Sequence, residues 1–313
     1  MKKGSELFNL RIMAHLAVVF VLGLLMFGYF RGQQEAALTT ADPSSDNLIF
    51  TMTDPVGDDF GPGNYIYPQH LSFEPHKDLL DLLAFRVIHK GEVAWYELDF
   101  GLIKNPWQAP EGFFHQRVDI YIDSRDGYGR LLPANPGANV TFAREYPWDM
   151  WIRIAPWGGS KAYFLEKDDK LIERRGVEVG VVGDRTIRVI VPQEVLPLPK
   201  PTWRYYVLVG GYDGFGPDGY RVVTARGGDW IFGGGTDNNL DPNVIDLLAP
   251  KSGKHSQSIQ LAYNVEEKQG AVLMPVGNVK ESGPSPVAVS LLVLLAGAGA
   301  FGWQFARKNR GQE

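Results

Sequence analysis

The chain has no cysteine among its 313 residues. That excludes disulfide staples, thiol nucleophiles and zinc–thiolate centres. Its six histidines are scattered, and no His-Glu-Xaa-Xaa-His pair occurs, so the helical zinc-protease pattern is missing. Gly-Xaa-Ser-Xaa-Gly is missing as well. The run Gly233-Gly234-Gly235 leads into Thr236 and Asp237 instead of Lys and Ser or Thr, so it is no phosphate-binding loop. A carboxylate pair would serve a glycosidase, but no pair stands out. No enzyme is expected. Positive charge is also scarce. Between Gly32 and Pro286 stand 24 Lys and Arg against 34 Asp and Glu, a net of −10. Nucleic acid is therefore an unpromising partner, whereas hard cations such as calcium suit the excess of carboxylates.

Two long apolar runs stand out against this background. Residues 12–30 and 287–305 are nineteen residues each and hold no Lys, Arg, Asp or Glu. At about 1.5 Å per residue, each reaches roughly 28 Å as a helix, close to the hydrocarbon thickness of a bilayer. Lys2, Lys3 and Arg11 precede the first run, and Arg307, Lys308 and Arg310 follow the second. The preference of basic residues for the cytoplasmic side puts both ends inside and the middle outside. The expected order is a signal anchor at 1–33, a linker at 34–48, one domain at 49–265, a second linker at 266–286, a transmembrane helix at 287–306 and a basic tail at 307–313. A cleaved signal peptide is the alternative for the first run, with the cut falling within 34–41.

The middle reads as β. Short runs that alternate or carry β-branched residues recur at 47–52, 83–89, 94–100, 116–122, 150–154, 162–165, 186–191, 204–209 and 259–263, separated by Gly, Pro, Asn or Asp. Long helical periodicity is missing here, and no repeat of constant period occurs. The pattern predicts an all-β, antiparallel β-sandwich, immunoglobulin-like or jelly-roll-like.

Candidate binding residues fall in two sets. Asp54, Asp58 and Asp59 crowd a turn with Gly57, Gly61 and Gly63. Carboxylates this close repel unless a cation sits among them, and calcium takes six to eight oxygens from such bent loops. A solvated turn explains the same composition. Asp78 and Asp81, the trio Asp119, Asp123 and Asp126, and the trio Asp237, Asp241 and Asp246 are further acidic sets. Of these, Asp81 and Asp246 are taken as candidates to complete the shell. The second set is tryptophan: Trp107, Trp151 and Trp157 are the candidate sugar-stacking rings. Trp151 shares strand parity with Arg153, which places it on the more polar face. Asn139-Val140-Thr141 matches a glycosylation sequon.

Four ordered strings carry a family resemblance: DPVGDDFGPGNYIYP (54–68), LIKNPWQAPEGFFHQRVDIYIDSRDG (102–127), GGYDGFGPDGYRVV (210–223) and FGGGTDNNLDPNVIDLLAP (232–250). With them the middle domain resembles the C-terminal, S-layer-homology-like binding module of glucodextranase. The resemblance implies a β-sandwich similar to family-9 carbohydrate-binding modules and DOMON-like domains, folds that often hold calcium. It implies attachment to polysaccharide or cell-wall glycan in a bacterial envelope and not catalysis. The family's module usually follows a hydrolase, which this sequence does not contain, and an envelope or secreted hydrolase is a further candidate partner. A non-catalytic scaffold in an envelope or export complex is the alternative, favoured by a tether at both ends.

Overall fold

The computed structural model describes residues 47–73, 76–237 and 240–279. Both long apolar runs lie outside the described residues, among which no helix is long and apolar enough to cross a membrane. A compact unit runs to Gly277.

Two antiparallel sheets make up this unit. The first has strand order β1-β2-β3-β10-β9, built from Leu48–Thr53, Leu82–Lys90, Val93–Phe100, Thr186–Pro192 and Glu178–Val182 for β1, β2, β3, β10 and β9. The second has the order β12-β11-β4-β6-β7-β8. Its strands are Asp246–Leu247 (β12), Arg204–Gly211 (β11), Gln116–Asp123 (β4), Met150–Ile154 (β6), Lys161–Leu165 (β7) and Leu171–Arg174 (β8). Val276–Gly277 (β14) also pairs with β11, and Ala271–Leu273 (β13) runs parallel to Val140–Phe142 (β5). Both closing strands fall inside the stretch expected to be a linker, so the domain runs past residue 265.

Strand alternation explains the sandwich. Phe85, Val87, Tyr96, Leu98, Ile187 and Val189 point inward from the first sheet, and they share one core with Val118, Ile120, Ile152, Ile154, Tyr205 and Val207 of the second. The residues between them on the first sheet are charged and pair across strands. Arg86 bonds Glu97 at 2.9 Å and Asp99 at 2.7 Å, and Arg188 reaches Glu97 at 2.6 Å. The outer face of the second sheet is not left to solvent. Tyr121 meets Phe142 and Trp148 at ring distances of 4.7 and 4.9 Å, and Phe142 meets Tyr206 at 4.8 Å. A second buried layer thus lies under the β5 region.

One expected strand is not a strand. Residues 257–260 form a single helical turn. Its two glutamines are buried and serve the backbone: the Gln257 side chain accepts from Leu247 N at 2.7 Å, and Gln260 accepts from Met274 N at 2.6 Å.

Candidate metal centre and aromatic surface

The ends of β1, β2 and β12 meet at one corner of the sandwich. β1 pairs with β2, so Asp54, just past Thr53, donates its N–H to Leu83 at 2.9 Å. Asp246 ties the sheets together there: its carboxylate accepts Leu82 N at 2.6 Å and its own neighbour Leu247 N at 2.7 Å. The turn between brings Asp58, and Gly61 N–H bonds Ile245 O at 2.7 Å. Asp54, Asp58 and Asp246 each present one oxygen within 4.8 Å of the others.

This is an expensive place for negative charge. Asp54 is 6% exposed, and its Oδ1 accepts Ala249 N at 2.8 Å, while Oδ2 is buried without a partner. Asp58 Oδ1 and Asp81 Oδ2 are buried without partners too. Burial, and after it the charges of Asp58 and Asp81, push the Asp54 carboxyl up to about 8, against the pull of the Ala249 N–H. Burial pushes Asp58 and Asp81 up to about 6. Asp246 lies well above the ordinary range, first through burial and then through Asp54 and Asp58. Three converging carboxylates, two of them with an unpartnered buried oxygen, are the all-oxygen donor set that calcium or magnesium takes, and the residues fit a divalent cation.

Two of the five acidic candidates lie outside this trio. Asp81 Oδ1 accepts Gly57 N at 2.8 Å, and its Oδ2, buried without a partner, is not one of the three converging oxygens. Asp59 stands outside the three-oxygen group: it accepts the Tyr67 hydroxyl, which in turn accepts Leu80 N at 3.0 Å. The other acidic sets are structural. Asp119 is held by Arg117 at 2.7 Å, Trp151 Nε1 at 2.6 Å and the Tyr220 hydroxyl at 2.6 Å. Asp123 and Asp126 share Arg204, and Asp241 accepts from Thr236.

The tryptophans separate sharply. Trp151 is fully buried, stacked between Tyr121 and Tyr163 at 5.5 and 4.4 Å. Its face is the polar one, as the parity predicts, but other chain segments cover that face, so it is no stacking ring for a ligand. Trp157 is half exposed, at a backbone φ of +59°, where the Glu111 carboxylate receives the N–H groups of Trp157 and Gly158. Trp107 is 41% exposed and sits in a turn closed by Asn105, whose Oδ1 accepts Ala109 N at 2.8 Å. It is not alone. Trp230, 37% exposed, lies 5.7 Å from it, and His70 stacks on Trp230 at 3.9 Å. Phe114 backs Trp107 at 4.4 Å, and the Arg221 guanidinium lies 5.4 Å from the Trp230 ring.

His70 and Trp230 escaped the sequence reading because nothing local links positions 70, 107 and 230. The link is a backbone strip. Ile66 and Gly233 exchange two hydrogen bonds at 2.9 Å, Gln69 N bonds Gly228 O at 3.1 Å, and His70 N bonds Asp229 O at 3.0 Å. The triple glycine makes this approach possible. At Gly234, whose φ is +85°, a Cβ would lie 2.1 Å from Asn64 O, and at Gly235 it would lie 2.4 Å from Asp241 Oδ2. A cavity of about 830 Å³ lies between the acidic turn and the rings, lined among others by Asp59, Phe60, Tyr67, Phe73 and His76.

The two packed antiparallel sheets define an all-β sandwich. The C-terminal binding module of glucodextranase, SLH-like, matches this chain over residues 49–275, and the chain belongs to that family. The match is to a binding module and not to a catalytic domain. No curated protein matches the chain.

Proposed function

We infer that the chain is a membrane-anchored module on the outer side of the membrane that captures glycan or cell-wall polymer, with calcium holding its acidic corner. The observation that carries the reading is the surface made by His70, Trp107 and Trp230. Exposed aromatic rings take the C–H face of a pyranose, and an exposed aromatic patch marks a binding site. The family supplies the ligand class, since its defining module belongs to glucodextranase. The convergence of Asp54, Asp58 and Asp246, with oxygens of Asp54 and Asp58 unpartnered, supports the cation. The anchoring rests on the two apolar runs and their basic flanks.

The test is affinity electrophoresis of the full-length chain in detergent with calcium, through gels holding dextran, starch or cell-wall polysaccharide. Retardation by at least one, lost in Trp230→Ala and Trp107→Ala with the fold intact by circular dichroism, is expected. Free migration through all three overturns the glycan reading in favour of a scaffold.

A further inference from the structure

We propose that a divalent cation in the acidic corner sets the position of the aromatic surface through Tyr67, so that glycan capture depends on the cation. This rests on the glycan reading above and adds its regulation.

The two sites are joined by one short stretch of chain. The acidic turn at 54–63 runs without interruption into 64–70, which ends at His70. Tyr67 stands midway. Its hydroxyl donates to Asp59, next to the cluster member Asp58, and accepts Leu80 N. Its ring meets Phe60 at 6.4 Å and Phe232 at 5.4 Å. Phe232 meets Phe73 at 6.4 Å, and Phe73 meets Trp230 at 6.0 Å. The strip that carries His70 is bonded to the strip that carries Trp230, so the two shift together.

The corner has two arrangements to choose between. Asp54, Asp58 and Asp246 hold their oxygens within 4.8 Å of one another in a dry setting, and once ionised without a cation they repel, which outward movement of the turn relieves. With a cation they are drawn to one point. Room for the movement exists, because the cavity beside Asp59, Phe60 and Tyr67 is not close-packed, and a Cβ at Gly57 or Gly63 would meet no atom within 4 Å. Asp59 cannot follow Asp58 without pulling the Tyr67 hydroxyl, and Tyr67 carries Phe232 and the strip with it. Linkage makes the effect mutual: glycan on the rings tightens the cation.

The experiment uses the full-length chain in detergent, calcium alone, and acrylamide quenching of tryptophan fluorescence. Trp230→Phe identifies the Trp230 share of the signal. Calcium is expected to shield Trp230 in the wild type. In Tyr67→Phe, calcium still binds by calorimetry but the shielding is gone. Phe232→Leu breaks the same route at its next contact and serves if Tyr67→Phe does not fold. In dextran gels, calcium should tighten binding about tenfold in the wild type, within the usual range for coupled sites, and less than about twofold in Tyr67→Phe. Calcium that binds without altering Trp230, or a Tyr67→Phe variant with the full response, overturns the proposal. A normal fluorescence response with no retention by any polysaccharide supports the Tyr67 route and overturns the glycan reading instead.

Discussion

Replacing Asp54 by asparagine should change the stability of this protein in opposite directions with and without calcium. The carboxyl is 6% exposed and pushed up to about 8 from an ordinary 3.8. Keeping it charged in the folded state therefore costs free energy that the unfolded chain does not incur. The amide avoids that charge. It still accepts Ala249 N through its oxygen, and its new N–H group points where the orphaned Oδ2 stood, toward Asp246. Recovering even about 1 kcal/mol raises Tm by about 2–4 °C for a domain of this size. In calcium the balance turns. A cation at a hundred times its Kd stabilises the wild type by about 2.7 kcal/mol, or about 6–10 °C, and the variant has lost a ligand oxygen. Thermal melts of the full-length protein in EGTA and in millimolar calcium read both signs. Asp54→Asn should melt above the wild type in EGTA and below it in calcium. A variant less stable in both buffers would refute the claim that this carboxylate is strained until a cation arrives.

Other consequences follow from the same contacts. Asp54, Asp58 and Asp81 have folded pKa values raised to about 8, 6 and 6 from 3.8. The metal-free folded state thus binds more protons than the unfolded state between about pH 4 and 8, and its stability falls as pH rises through that window. Calcium takes the deprotonated oxygens, so its increment in Tm should grow from pH 5 to pH 8, read by melts in paired buffers. Trp151→Ala should destabilise by about 3–5 kcal/mol in chemical denaturation, since it empties a fully buried stack and strips a donor from Asp119. Trp230→Ala should change stability far less and glycan retention far more. Gly234→Ala should lower the denaturation midpoint and weaken glycan retention together, because its Cβ would strike Asn64 O at 2.1 Å and prise apart the two strips.

The strands that build the sandwich were legible because their alternation is strong. Eight of the nine expected runs, from Leu48 to Gly211, lie on strands within a residue or two of their observed ends. The ninth, 259–263, alternates by chance, since Gln257 and Gln260 turn inward to bond the backbone. The short strands Val140–Phe142, Ala271–Leu273 and Val276–Gly277 carry too few residues to show a period, and only long-range pairing defines them. The acidic corner was partly legible. Crowding in 54–59 pointed to the turn, but the sorting of Asp58 from Asp59 depends on Tyr67, eight residues on. Trp151 shows the limit of parity: alternation tells which face a residue takes, not whether another part of the chain covers it. Trp107 was visible as an isolated ring. Its partners His70 and Trp230 come from turns more than a hundred residues apart, joined only by the pairing of 66–70 with 228–233.

The most direct test of the whole account is a crystal structure of the protein grown with calcium and soaked with the polysaccharide fragment that retards it most. The account predicts a cation bridging Asp54, Asp58 and Asp246, with a sugar ring lying against Trp230 and Trp107. An ordered sugar elsewhere on the domain, or a corner with no cation and the three carboxylates turned apart, would contradict it.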